Sequence, residues 1–307
     1  MTDAPEFAIE ARRLTKRFLH HAAVDQLDLT VPRGSAFALI GRNGAGKSTL
    51  LQMLLNLTRP TRGEVRVFGK APSRLSEPER ARIGYVADGQ DLPLWMSVRE
   101  FLRFLKPLYR TWDDTFCERL LAIFDLPLER KLRNLSRGQR VKAAFIGALA
   151  HHPRLLVLDE PFGGLDPAVR EELLDALIEL MNRDEWTVFV SSHEIDEVER
   201  LCDHVAVMDG GRLILTEDKD RLLAHCRAVS LQTEQKPDSA GLPEHWWNPE
   251  AGEGRITFVD SAHEPERLSA DVERLFPDVR HLHVAPATLK AICLALLRRP
   301  SISLLHA

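Results

Sequence analysis

The sequence has no long apolar run. Its most apolar-rich stretch, Ala143 to Ala150, is far short of the roughly 20 residues a bilayer-spanning helix needs, so any work at a membrane requires docking on something else. It also lacks a basic excess. The net charge of -4 gives no electrostatic case for nucleic acid, which is set aside as a partner. Cysteine is sparse: Cys117, Cys202, Cys226 and Cys293 are widely spaced with no C-x-x-C pair, which argues against zinc or a redox couple and for scattered reduced thiols. Met1 to Ala4 do not start a basic and then apolar secretion signal, and no internal repeat or low-complexity tract occurs.

What is present suits a soluble globular chain. With 307 residues, 44% hydrophobic and 28% charged, there is material for one large α/β domain plus an appendage. Phe37 to Ile40 reads as a short buried strand, and the Leu- and Met-rich run Ser48 to Leu57 as a core-facing helix, with a glycine-rich turn between them. Glu64 to Phe68 suggests a further strand closed by Gly69. From about Leu92 to Ala150 the spacing turns helical, through Phe101, Leu102, Leu105 and Leu108 and then Leu120, Leu121, Ile123 and Phe124. Leu155 to Leu158 and Thr187 to Val190 restore the pattern of central parallel strands, separated by an amphipathic helix over about Ala168 to Met181. Val205 to Leu215 reads as a hairpin turning at Asp209, Gly210 and Gly211. Beyond about Leu223 the texture shifts to Pro, Gly and acidic residues around Pro237 to Gly254, followed by a strand candidate, Ile256 to Val259, and two helix candidates.

The turn after the first buried strand carries chemistry. Gly41, Arg42, Asn43, Gly44, Ala45, Gly46, Lys47 and Ser48 fit the phosphate-loop pattern G-x-x-x-x-G-K-[ST] at every fixed position. Such a loop brings backbone N–H groups close to a di- or triphosphate, which side chains at Gly44 or Gly46 would obstruct, and the following helix adds its positive dipole end. Lys47 is expected between the terminal phosphates, Ser48 on Mg²⁺, and Thr49 on a further phosphate oxygen. The Leu155 to Leu158 strand ends in Asp159 and Glu160, at the carboxyl edge where open α/β sheets bind ligands. There Asp159 would hold Mg²⁺ and Glu160 would polarise the attacking water.

Further segments make the reading specific. Leu135, Ser136, Arg137, Gly138 and Gln139 resemble the L-S-G-G-Q signature of ATP-binding cassette (ABC) transporter ATPases; Gly164, Leu165 and Asp166 resemble the D-loop of that family; Ser191, Ser192 and His193 follow a strand as its switch histidine does. Phe18 matches its adenine-stacking aromatic. The ordered set spans about Leu14 to Gly211. The resemblance implies a P-loop NTPase core of α/β class with a mixed, mainly parallel sheet, an inserted helical subdomain at about 91–150, an ATP-binding domain over 1–222, and a small α+β extension over 223–307. It implies ATP and Mg²⁺ as cofactors and Lys47, Glu160 and His193 as catalytic residues. Nucleotide contacts would come from Phe18, Gly41 to Thr49, Gln90, Ser136, Gly138, Gln139 and Asp166, with Ser48 and Asp159 on the metal.

Two positions depart from the family pattern. Arg137 replaces the first signature glycine, adding charge near the nucleotide. Where the Q-loop glutamine is expected, Ile83, Gly84, Tyr85, Val86 and Ala87 lead to Asp88, with Gln90 two residues later; either residue can serve the metal and coupling contacts, and Gln90 is preferred because a carboxylate near Asp159 would be repelled. With one phosphate loop and one signature, the head-to-tail sandwich of the family needs two copies, implying a homodimer or a similar second subunit. The membrane permease would be a separate chain gripped by Asp91 to Glu100, with Trp95 and Met96 as contact candidates and helix-packing core as an equal alternative for Trp95, placing the protein in the cytoplasm on the inner face of the membrane. Trp246 and Trp247 are candidates for lipid or partner contact, or for packing over a small domain. A single cassette with a C-terminal extension resembles export ATPases. A soluble mechanical ATPase would bring long coiled coils or two cassettes, and a GTPase an N-K-x-D segment; the sequence has none of these.

Overall fold

The computed structural model describes residues 6–19, 21–181, 186–235, 241–252 and 254–298. Met1 to Ala4, and in the Pro-rich stretch Pro237 to Ala240 and Glu253, lie outside the described residues. The chain divides into two compact units, Met1–Leu213 and Ile214–Ala307. That division falls inside a strand, nine residues before the shift in sequence texture that suggested 222/223.

The first unit runs β1 (Phe7–Phe18), β2 (His21–Pro32), β3 (Ala36–Ile40), α1 (Lys47–Leu54), β4 (Arg62–Val67), α2 (Glu77–Arg80), β5 (Ile83–Ala87), α3 (Val98–Leu105), α4 (Asp114–Phe124), α5 (Arg137–Leu149), β6 (Leu155–Asp159), α6 (Pro167–Met181), β7 (Thr187–Ser192), α7 (Ile195–Val198) and β8 (His204–Asp209), and ends in the first residues of β9 (Arg212–Asp218). The central sheet has the order β5-β6-β7-β3-β8-β9. Its first five strands pair in parallel. Their sequences, such as FALI and LLVL, are apolar without alternation because both faces of a central parallel strand are covered. β9 returns from β8 by a two-glycine turn, Gly210 and Gly211, both at positive φ, the backbone that a tight right-twisted hairpin demands. A second sheet, β2-β1-β4, is antiparallel. Its buried Ile9, Leu14, Leu27 and Val65 join Leu50 and Leu54 of α1 and Phe37 and Val157 of the central sheet in one core.

The helix after the phosphate loop spans Lys47–Leu54, shorter than Ser48 to Leu57, because Asn56 takes a left-handed backbone that ends it. α3, α4 and α5 all fall between the neighbouring strands β5 and β6. The second unit holds α8 (Lys219–His225), β10 (Arg227–Gln232), β11 (Trp246–Gly252), β12 (Arg255–Asp260), α9 (Pro265–Leu275), β13 (His281–Pro286) and α10 (Leu289–Arg298), with an antiparallel sheet ordered β11-β12-β10-β13. Trp246 stacks on Phe258 with ring centroids 4.0 Å apart inside this core, so it packs the unit and is withdrawn from lipid or partner contact. All four cysteines are buried.

Candidate active site

Strand order brings the chemistry together. β6, β7 and β3 are neighbours, and their parallel register sets Asp159 opposite Ser191 and Ile40 opposite Ser192. The carboxyl ends of three adjacent strands therefore deliver Asp159–Glu160, Ser191–His193 and the loop starting at Gly41 to one edge. The N–H of Gly41 donates to the Ser192 carbonyl at 3.3 Å, pinning the start of the loop to β7.

The loop is shaped by its glycines for two different reasons. Gly46 has φ 106 at the N-terminus of α1, and a Cβ there would meet the Ala23 carbonyl oxygen at 2.0 Å, so the chain itself excludes a side chain. Gly44 also has positive φ, yet a Cβ would meet nothing within 4 Å, so there the backbone conformation alone favours glycine. Lys47 is only 5% exposed, and its ammonium donates to the carbonyls of Gly41 at 2.7 Å and Arg42 at 3.3 Å and pairs with Glu160 Oε1 at 2.9 Å. Three partners satisfy the three N–H bonds of a buried ammonium.

The acids take separate roles. Asp159 Oδ1 accepts from Ser48 Oγ at 3.1 Å and from Ser191 Oγ at 2.7 Å. Glu160 stands at φ 50, a left-handed backbone that costs a non-glycine residue about 1–2 kcal/mol. Its own N–H donates to the Ser191 carbonyl at 3.1 Å, and its Oε2 accepts from the backbone N–H of His193 at 3.2 Å and from His193 Nδ1 at 2.7 Å. With Glu160 ionised, that bond places the proton on Nδ1. Lys47, Ser48, Asp159, Glu160 and His193 are thus one hydrogen-bonded constellation, with Thr49 half-buried one residue along α1. Ser191, which sequence reasoning quoted only as part of a motif, holds Asp159; the strand register that aligns them was not readable from sequence.

The remaining positions lie apart from that constellation or are occupied locally. Phe18, at the end of β1, is 46% exposed with the Lys16 ammonium 4.9 Å from its ring centroid. Ser136 caps α5: its hydroxyl accepts from the Gln139 N–H at 3.1 Å while Gln139 Oε1 accepts from the Ser136 N–H at 3.1 Å. Gly138 is buried, and a Cβ there would meet Val169 Cγ1 of α6 at 2.8 Å. Asp166 accepts from the Ala168 N–H at the start of α6. Gln90 folds back, its Oε1 accepting from the Ala87 N–H at 3.4 Å, whereas the Asp88 carboxylate accepts from the Arg137 guanidinium. Arg42 and Asn43 are exposed and Ala45 is buried in the loop.

A phosphate loop at the end of a central parallel strand, with a carboxylate pair and a histidine converging on its lysine, defines a P-loop ATPase. Comparison with known proteins agrees and narrows this. The family described as ABC transporter matches residues 24–163. The bacitracin transport ATP-binding protein BcrA of Enterococcus faecalis is 33% identical over 211 residues, covering 68% of each chain. The Nod factor export ATP-binding protein I of Ralstonia nicotianae is 31% identical over 308 residues, covering 96% of this chain and 94% of that protein. A solved structure described as the dimeric structure of a bacterial ABC transporter cassette superposes with a TM-score of 0.62 at 25% identity, covering 68% of this chain and 98% of that one. The chain belongs to the ABC transporter ATP-binding proteins, and is an ATP-binding and ATP-hydrolysing subunit.

Proposed function

We propose that two copies of this chain close head to tail on two ATP molecules and drive export through a separate membrane permease. The observation that carries the reading is the convergence of Lys47, Asp159, Glu160 and His193 within one hydrogen-bonded group. A terminal phosphate entering the loop would take Glu160's place on the Lys47 ammonium, leaving Glu160 held by His193 to accept a proton from the attacking water. The loop amides from Gly41 to Thr49 would carry the phosphates, and the exposed ring of Phe18 would stack on adenine. Ser136, Gly138 and Gln139 of one copy would cover the nucleotide of the other, the Ser136 hydroxyl keeping its proton free to donate while it caps α5, with Asp166 beside the seam.

Ser48 and Asp159 suit Mg²⁺, since a hydroxyl and a carboxylate 3.1 Å apart are the hard oxygen donors that ion prefers. When bound, the ion would neutralise charge on the phosphates. Gln90 is assigned the remaining metal-side contact, because Asp88 is engaged by Arg137.

The cassette role is assigned to residues 1–222, with the helices of about 91–150 facing the permease. A cleft of about 330 Å³ opens there between Asp88, Gln90, Leu92, Leu94, Arg137 and Arg140. Trp95 beside it is 69% exposed, so it serves no helix-packing core, and Met96 is half-buried. No described helix is long and apolar enough to cross a membrane, and the reading places the protein on the cytoplasmic face through its permease. Export follows the relatives named for bacitracin transport and Nod factor export. The test is Glu160→Gln, expected to lower kcat by about 10²- to 10⁴-fold while dimers accumulate with ATP. Lys47→Ala is expected to remove both hydrolysis and ATP-driven dimers. Unchanged turnover in either variant, measured by phosphate release, would overturn the reading.

A further inference from the structure

The two positions where the sequence departs from its family meet each other in space. Arg137, where a signature glycine is expected, donates from its guanidinium to Asp88, where a Q-loop glutamine is expected, although 49 residues separate them. Each departure alone is unfavourable. A cation in the first turn of α5 opposes the helix dipole, and a carboxylate next to the strand that ends in Asp159 adds like charge to the metal side. Together they cancel.

The pair also sits on a continuous line of contacts. The Asp88 N–H donates to the Asp159 carbonyl at 2.9 Å, so the residue is fixed to the strand that carries the metal-side carboxylate. Its carboxylate lies against Gly163, where a Cβ would stand 3.7 Å from Oδ2, and the Gly163 N–H in turn donates to the Glu160 carbonyl at 3.1 Å. The Arg137 guanidinium covers Gly164 so closely that a Cβ there would meet Nη1 at 2.6 Å. Ser136, the residue read as the donor to the second nucleotide, directly precedes Arg137 and caps the same helix. The carboxylate and the guanidinium are 41% and 49% exposed. A pair so open to water adds little to fold stability, so its placement matters more than its strength.

We propose that Asp88 and Arg137 form a positioning pair that carries the state of a subunit's own Asp159–Glu160 edge to its own signature, and through it to the ATP site closed against the other copy. The inference rests on the two-subunit reading above. Arg137 and Asp88 touch no reacting atom; they orient Ser136 and Gly138 when the strand end responds to nucleotide.

The experiment is a double-mutant cycle on the full-length chain with Asp88→Asn and Arg137→Gln, following ATP hydrolysis against ATP concentration, with Asp88→Glu as the conservative control. Each neutral variant is expected to raise the half-saturating ATP concentration by about two- to fivefold and to lower the Hill coefficient toward 1, with melting temperature unchanged. The double variant should be no worse than the worse single one, and Asp88→Glu should recover the Hill coefficient. Effects that simply add, or Hill coefficients that stay at the wild-type value, overturn the pair. A loss in kcat for Asp88→Asn far beyond that of Arg137→Gln also overturns it, and moves Asp88 to the metal. ATP-driven dimers of the Glu160→Gln chain are scored separately: their absence removes the two-subunit reading and this inference with it, whereas dimers with an additive cycle remove the inference alone.

Discussion

A buried charge survives in a protein only with partners, and Lys47 has one for each of its three N–H bonds. Two of those partners are loop carbonyls and the third is Glu160, so the arrangement has one exchangeable position, aimed at the edge where a phosphate would arrive. A second buried cation-former is left without charge. His151 is fully buried, stacked on Tyr109 with centroids 3.9 Å apart, and burial pushes its pKa from 6.5 down to about 4. Above pH 6.5 the imidazole is neutral in both native and unfolded chains and stability is unaffected by it. As pH falls from 6.5 toward 4, only the unfolded chain takes up the proton, so stability is lost progressively, by about 3 kcal/mol in total. Denaturant unfolding at pH 7 and pH 4.5 should record that fall, and His151→Phe, which keeps a stacked ring, should flatten it.

At the scale of elements, α5 does two jobs from one terminus. Its capping box ties Ser136 and Gln139 to each other through both backbone N–H groups, and the same serine is the proposed donor across the dimer. Ser136→Ala should therefore cost about 1 kcal/mol of stability, a drop in melting temperature of roughly 2–4 °C, besides weakening ATP-driven dimers. Calorimetry separates the two effects, because Ser136→Asp restores a cap while placing negative charge toward the phosphates. Elements that announce themselves locally were legible in the sequence: the FALI and LLVL strands, the glycine-rich loop, the hairpin at Gly210–Gly211 and the amphipathic α6. Long-range pairings were not. The β2-β1-β4 sheet pairs distant strands through several register shifts, which the alternation visible within Leu27 to Val31 or Glu64 to Phe68 does not specify. Asp88 and Arg137 each looked like a defect alone, and only the packing of α5 beside the end of β5 makes them a pair. Likewise the Ser191 hydroxyl on Asp159 depends on β6 lying next to β7, which no local pattern encodes.

For the molecule as a whole, the proposed ATP-site residues, from Phe18 to His193, all lie in the first unit, and Trp95, next in sequence to Leu94 of the Asp88 cleft, is exposed. A large aromatic left 69% exposed has little to do with the fold, so Trp95→Glu should alter stability by no more than about 0.5 kcal/mol. Co-purification with a permease from detergent-solubilised membranes should fall at least tenfold. Sequence texture changes at about 222/223, inside α8, whereas the compact units part at Leu213/Ile214, inside β9, because β9 and the start of α8 carry no change of composition that would mark the division. The buried thiols have a practical corollary. Burial raises Cys117 to about 11 and Cys226 to about 12, and Cys202 and Cys293 are buried as well, so none offers an accessible thiolate to an electrophile at neutral pH. The natural chain is its own silent background: a single cysteine introduced on an open face would take a maleimide dye or spin label alone, and the closing of two copies could be followed by spectroscopy in otherwise native protein.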